Sequence, residues 1–405
     1  MSLTRATLTL LAGSALAQAL PLLLGPWIAR LYTPAEYGQF SLLWTVASNL
    51  AVVGCARYEF ALALETGDKG AAALLALCLR VLLVMTAMAI LVGAAWMLWA
   101  DLSVAAALPL AVLALAASQA LAQWAARAGE FATLARARVV QWGGGAVGQV
   151  GFGLLQAGPW GLVGGATLAT AAAAMLQARP APTGGWRGLL RPQPLRQMAH
   201  KHRDFPLLNT PHAFAGALQD TLAIALLTAW LGAPEAGAWA LALRYLKAPA
   251  SLVGGSLSQA LYPRLTQSTN LAEARTLVRH NLLLLAAIAL PLMGGLLAFG
   301  PWLFATVFGP QWRGAGELAC SLAPYIALHF IASPLSVVPM AWGAQAWALK
   351  LALVGQVMFV AGLAAGLHLG GLAGAGWGVS AAMLFYFCYF FWGLLQRAPA
   401  NKEMP

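Results

Sequence analysis

The sequence predicts an all-α, polytopic membrane protein of about twelve transmembrane helices in two six-helix lobes. Three observations carry this. Of the 405 residues 61% are apolar and 9% charged, with mean hydropathy +0.75, against roughly 45–50% apolar and 25% charged in a soluble domain. Apolar runs of about 20 residues, each long enough to cross a hydrocarbon core of roughly 30 Å as a helix, recur along the chain. One polar stretch, 179–206, leaves six such runs on either side.

The first run, 8–30, exceeds the roughly 7–15 apolar residues of a signal peptide and flows into a second span, so it is expected to stay in the mature protein. The second, 38–56, is followed by 72–98, which contains Arg80, and by 103–123. The fifth, 139–157, holds the glycine-rich "WGGGAVGQVGFG", which either bends or packs closely; the sixth is 160–178. The Pro- and Arg-rich linker 179–206 then separates an N-terminal lobe, 1–178, from a C-terminal lobe and short tail, 207–405. The seventh run, 207–231, places His212, Gly216, Gln219 and Asp220 at helical spacing. The eighth, 236–258, contains Arg244 and Lys247, and 281–300, 317–338, 348–369 and 374–395 complete the second lobe.

The halves resemble one another. "YTPAEYGQF" (32–40) joins the first two spans and "LGAPEAGAW" (231–239) the seventh and eighth, with Pro, Glu and Gly in the same order. At that offset a stripe of small and polar residues on the eighth span, Gly237, Ala240, Arg244, Lys247, Ser251, Gly254 and Ser258, matches Gly38, Ser41, Thr45, Ser48, Val52, Cys55 and Glu59 on the second, which lacks the cations. Six spans between copies give both halves the same direction, related by an axis along the membrane normal, and the simplest architecture is two lobes facing each other across a cavity. Close helix packing is the competing use of such a stripe.

The net charge of +11 and pI near 10.0 follow the positive-inside rule rather than a nucleic-acid partner. With the first residue in the cytoplasm, all but five of the 23 Lys and Arg fall in cytoplasmic segments, among them Arg191, Lys201, Arg264, Arg275, Lys350, Arg397 and Lys402. Arg30 and Arg313 lie outside, and Arg80, Arg244 and Lys247 within spans. A cation at the centre of a span costs roughly 2.5–3.5 kcal/mol on insertion scales, so it faces water or a partner. Snorkelling accounts for Arg57 and Arg80 but poorly for Arg244 and Lys247 together. Asp220 is the one carboxylate expected near a midplane; even paired with Arg244 or Lys247 as a structural salt bridge it cannot neutralise three cations, and the surplus suits an anionic ligand.

No catalytic motif is present: no phosphate loop, no G-x-S-x-G, no H-E-x-x-H. No catalytic residue, metal or cofactor is expected. Cys55, Cys78, Cys320 and Cys388 have no paired spacing and read as free core thiols; "HKH" (200–202) reads as cytoplasmic charge, and His329 and His368 as packing or helix-end residues.

With "ARLYTPAEYGQFSLL", "HKHRDFPLLNTP", "AGAWALALRYLKAPASLVGGSLSQALYPRL" and "VFGPQWRGAGELA" in this order, the chain resembles the Wzx-type polysaccharide-biosynthesis (O-antigen, lipopolysaccharide) flippases of the multidrug/oligosaccharidyl-lipid/polysaccharide (MOP) exporter superfamily. The resemblance implies alternating access and transfer of an undecaprenyl-pyrophosphate-linked oligosaccharide across a bacterial inner membrane, with both termini cytoplasmic and no ATP site. It implies as partners the polyprenyl-pyrophosphate-linked glycan, the bilayer and other polysaccharide-assembly membrane proteins. It also implies that basic cavity residues bind the pyrophosphate. Arg244 and Lys247 match by span, Arg80 and Arg57 by depth and sign, and Asp220 orients the cations or carries a coupling proton. A small-molecule or drug exporter of the same superfamily is the alternative, and it would line its cavity with carboxylates.

Overall fold

The computed structural model describes residues 3–100, 102–182, 184–189, 194–268 and 271–396. Arg191, Arg397 and Lys402 of the basic set, and the tail beyond 396, lie outside them. Among the described residues twelve helical rods follow one another. These are α1 (Leu3–Leu31), α2 (Pro34–Val52), α3 (Asp68–Ala100), α4 (Leu108–Arg127), α5 (131–154), α6 (Pro159–Gln177), α7 (Thr210–Trp230), α8 (Ala233–Gln267), α9 (Leu271–Phe308), α10 (Arg313–Leu335), α11 (345–369) and α12 (372–396). The protein is all-α and spans the membrane many times, as the hydropathy pattern requires.

Helix ends differ from the apolar runs for physical reasons. α8 and α9 extend well past 236–258 and 281–300 because a helix continues into polar residues, here Arg264, Arg275 and Arg279, where hydropathy stops reporting. The fourth run opens with a 3-10 turn, Ser103–Ala107, and the α-helix starts at Leu108 with Pro109 in its first turn, where a missing N–H costs nothing. α11 and α12 form one run broken at Gly370 and Gly371; Gly371 has φ 58° and ψ −140°, a conformation that glycine alone adopts readily. Seven helical stretches, this run counting once, hold a window apolar enough to cross a membrane; α2, α5 and α8 fall outside that criterion, and α1 contributes the shorter apolar helix Leu16–Leu31.

The repeated Pro–Glu–Gly joint is a pair of helix starts. Thr33 caps α2 in a capping box: the Glu36 amide donates to Thr33 Oγ1 at 3.3 Å and Glu36 Oε2 accepts from the Thr33 amide at 2.7 Å, with Pro34 in the first turn. At the second copy Gly232 precedes α8 at φ 106°, with Pro234 and Glu235 in the first turn.

The chain divides into two compact units, Met1–Ile224 and Ala225–Pro405, with the boundary inside α7. In the first, α4 packs against α2, α3 and α6, and α5 against α1 and α6. The glycine-rich segment of α5 both packs and bends: a Cβ at Gly148 would meet Gly165 Cα at 3.2 Å, and Val139–Gly144 form a π turn. In the second unit α10 is the central rod, with 72% of its most apolar window buried against 11% for α9, whose outer face is left for lipid. The four cysteines are free, but not all are core: Cys320 is half-buried and Cys388 is exposed. Cys55 and Cys78 are both buried.

Candidate substrate site

In the C-terminal unit, Arg244 and Lys247 are half-buried on α8, roughly 17 and 21 Å along the helix from Ala233 at about 1.5 Å per residue. Pro249, two residues beyond Lys247, offers no N–H to the carbonyl of Tyr245, so the backbone ladder is interrupted beside the cations. The Lys247 ammonium lies 6.0 Å from the centroid of Phe359 on α11. Phe359 continues a buried aromatic cluster: Trp239 at 6.3 Å, Tyr325 at 5.6 Å, and beyond Tyr325 both Phe387 at 6.4 Å and His329 at 5.8 Å.

His329 is not an isolated packing residue. Its ring meets that of Tyr325, and its Nδ1 is buried without a hydrogen-bond partner among the described residues. Tyr325 and His329 stand one helical turn apart on α10; that spacing of two polar rings in an apolar helix was the available signal. The lower part of the α8 stripe is given over to packing. Gly254 admits the Ser333 side chain, Ser258 Oγ donates to the Pro334 carbonyl at 3.0 Å, and Ser333 Oγ to that of Ala250 at 3.2 Å. The stripe is therefore a packing seam at one end and a cationic surface at the other.

In the N-terminal unit the sites are more scattered. Arg80 is exposed on α3. Arg57 sits in a left-handed turn, φ 62°, directly after Ala56 at φ 49°. Its guanidinium stacks 4.4 Å from the Phe60 centroid and lies 4.0 Å from Glu59 Oε1. Glu59 is 2% exposed, and burial pushes its carboxyl above the usual range despite its own backbone hydrogen bond and Arg57. Asp220 is exposed on α7. The next residue, Thr221, ties that helix to α2: its hydroxyl donates to the Thr45 carbonyl at 3.3 Å and accepts from Asn49 Nδ2 at 3.3 Å.

Within "HKH" His202 is buried and makes a fastening, while His200 and Lys201 stay exposed. Glu65 Oε1 takes the Lys201 ammonium at 2.5 Å and His202 Nε2 at 2.7 Å, and both Glu65 and His202 are only 8% exposed. Those two bonds, Lys201 first, hold the Glu65 carboxyl below the ordinary carboxylate range. Arg127 reinforces the spot, donating to the Glu65 carbonyl at 3.1 Å and to Asp68 at 3.0 Å. Trp124 Nε1 donates to the Pro180 carbonyl at 2.6 Å, so both ends of the linker are pinned within the first unit.

A family model described as polysaccharide biosynthesis protein matches residues 27–317, from the end of α1 into α10. The chain belongs to this family. Solved structures share the fold of this polysaccharide biosynthesis protein along nearly its whole length. An inward-facing MATE family multidrug resistance transporter of the MOP superfamily is 15% identical, with TM-score 0.71 over 94% of this chain and 93% of that one. The lipid II flippase MurJ, inward closed, is 10% identical, with TM-score 0.68 over 96% and 87%. A MOP superfamily transporter from Pyrococcus furiosus is 15% identical, with TM-score 0.53 over 97% and 96%. Comparison with curated proteins gives no match. The family is that of polysaccharide biosynthesis proteins, and the fold is the one these MOP-superfamily transporter structures have.

Proposed function

We propose that this protein flips an undecaprenyl-pyrophosphate-linked oligosaccharide, such as an O-antigen or lipopolysaccharide repeat unit, across the bacterial inner membrane by alternating access. The observation that carries the reading is the pair of half-buried cations Arg244 and Lys247 on one face of α8, beside a proline break, in a polysaccharide biosynthesis protein. Lys247 contributes a point charge and Arg244 a fork across two phosphate oxygens. Arg80 and Arg57 supply further positive charge to the diphosphate, and Asp220 orients the cations in the empty site or carries a coupling proton. The lobes act as 1–178 and 207–405 on either side of the cytoplasmic linker 179–206, both termini are cytoplasmic, and other polysaccharide-assembly proteins of the membrane deliver and remove the glycan.

Two neighbours in fold support the reading: one is itself a lipid II flippase, and the Pyrococcus furiosus transporter is described as having a binding pocket of reverse polarity that suggests a different function. The test is translocation in proteoliposomes, with a labelled polyprenyl-pyrophosphate saccharide and a membrane-impermeant enzyme reporting its leaflet. Wild type transports, and the Arg244→Gln, Lys247→Gln double variant inserts normally but does not. Equal transport by the two proteins overturns the assignment of the site, and absence of transport by wild type overturns the substrate.

A further inference from the structure

α11 and α12 touch in two different ways along their length. Near Gly370 and Gly371 they meet backbone to backbone, and a Cβ at Gly362 would fall 2.6 Å from the Gly378 carbonyl oxygen. Toward the other end aromatic rings act as spacers: Tyr386 lies on Gly355, and Trp347 lies on Gly393 and stacks with Phe390 at 6.1 Å. Between the helices this leaves an open groove of about 730 Å³. Its walls are apolar, Leu351, Val354, Met358 and Phe385, and Val354 and Phe385 are exposed to the outside.

The groove has one charged residue, Lys350, which is exposed and makes no ion pair or hydrogen bond among the described residues. Trp347 and Tyr389 flank the same end. That end is the basic one: the first turns of α11 lie beside the last turns of α12, where Arg275 donates to the Gln396 carbonyl at 2.8 Å. An apolar channel topped by a cation, an indole and a phenol has the polarity profile of a lipid running from its acyl chain to its headgroup.

We propose that this groove binds one anionic glycerophospholipid, its acyl chain along Leu351, Val354 and Met358 and its phosphodiester on Lys350, with Trp347 and Tyr389 at headgroup level. A single cation suits the single charge of a phosphodiester; a diphosphate would leave charge unmatched. The site is independent of the diphosphate reading of Arg244 and Lys247, and stands or falls by itself.

Native mass spectrometry of the full chain in detergent tests it, with dioleoylphosphatidylglycerol, dioleoylphosphatidylcholine and undecaprenyl phosphate as probes. Wild type retains one phosphatidylglycerol about fivefold more tightly than phosphatidylcholine, the size expected of one lysine at a lipid surface. Lys350→Gln removes that preference, and Val354→Trp, which fills the groove, weakens retention of both. Equal retention of the two phospholipids by wild type, or a preference that survives Lys350→Gln, overturns the proposal. Tighter retention of undecaprenyl phosphate than of phosphatidylglycerol also overturns it and gives the groove to a polyprenyl carrier.

Discussion

Removing the Glu65 carboxylate should loosen the linker within the first unit. Glu65→Ala breaks two charge-assisted bonds of unequal worth. Lys201 is 54% exposed and rehydrates when freed, so its bond is worth at most about 1 kcal/mol, as for surface pairs. His202 is 8% exposed and would be left buried without its partner, which costs roughly 1.5–3 kcal/mol. Together these give roughly 3 kcal/mol, or about a hundredfold rise in the fraction of time the segment 195–209 is undocked. The assay is hydrogen–deuterium exchange of peptides covering 195–209 in nanodiscs. Glu65→Ala should accelerate their exchange by about two orders of magnitude, His202→Ala by about one or two, and Lys201→Ala by no more than about fivefold. Unchanged exchange in Glu65→Ala, or Lys201→Ala matching His202→Ala, would refute the assignment of the fastening to the buried bond.

The same pair fixes a pH dependence. Because its partners hold the Glu65 pKa below the ordinary value, its contribution is complete above the ordinary carboxylate range and is lost only as pH falls through the depressed value. Protection of 195–209 from this carboxylate should therefore persist down to about pH 4, and loosening between pH 7 and 5 that Glu65→Gln abolishes would contradict the sign. Thr221→Val removes both hydroxyl bonds from α7 to α2 and should lower stability by about 1–2 kcal/mol in thermal unfolding. Gly362→Val drives a side chain into the Gly378 backbone and should cost at least about 1–3 kcal/mol or reduce the yield of folded protein; a neutral result would mean that α11 and α12 separate more readily than their contact implies.

The sequence by itself determined the membrane class and the succession of apolar helices, because a bilayer imposes a uniform rule: each crossing needs about 20 apolar residues in a helix, and that rule is local. It also exposed Arg244 and Lys247, since a cation in an apolar run is costly wherever the helix packs. The tertiary structure decided which residues accompany them. His329 and Phe359 lie about 80 and 110 residues from Lys247 in the chain, and only the packing of the C-terminal helices brings the Phe359 ring to the ammonium and joins His329 to the same cluster through Tyr325. It likewise made His202 of "HKH" a buried fastening, because Glu65, some 137 residues earlier, supplies the partner. Apolarity is read one segment at a time, whereas a binding surface or an ion pair is a meeting of segments that no local pattern records.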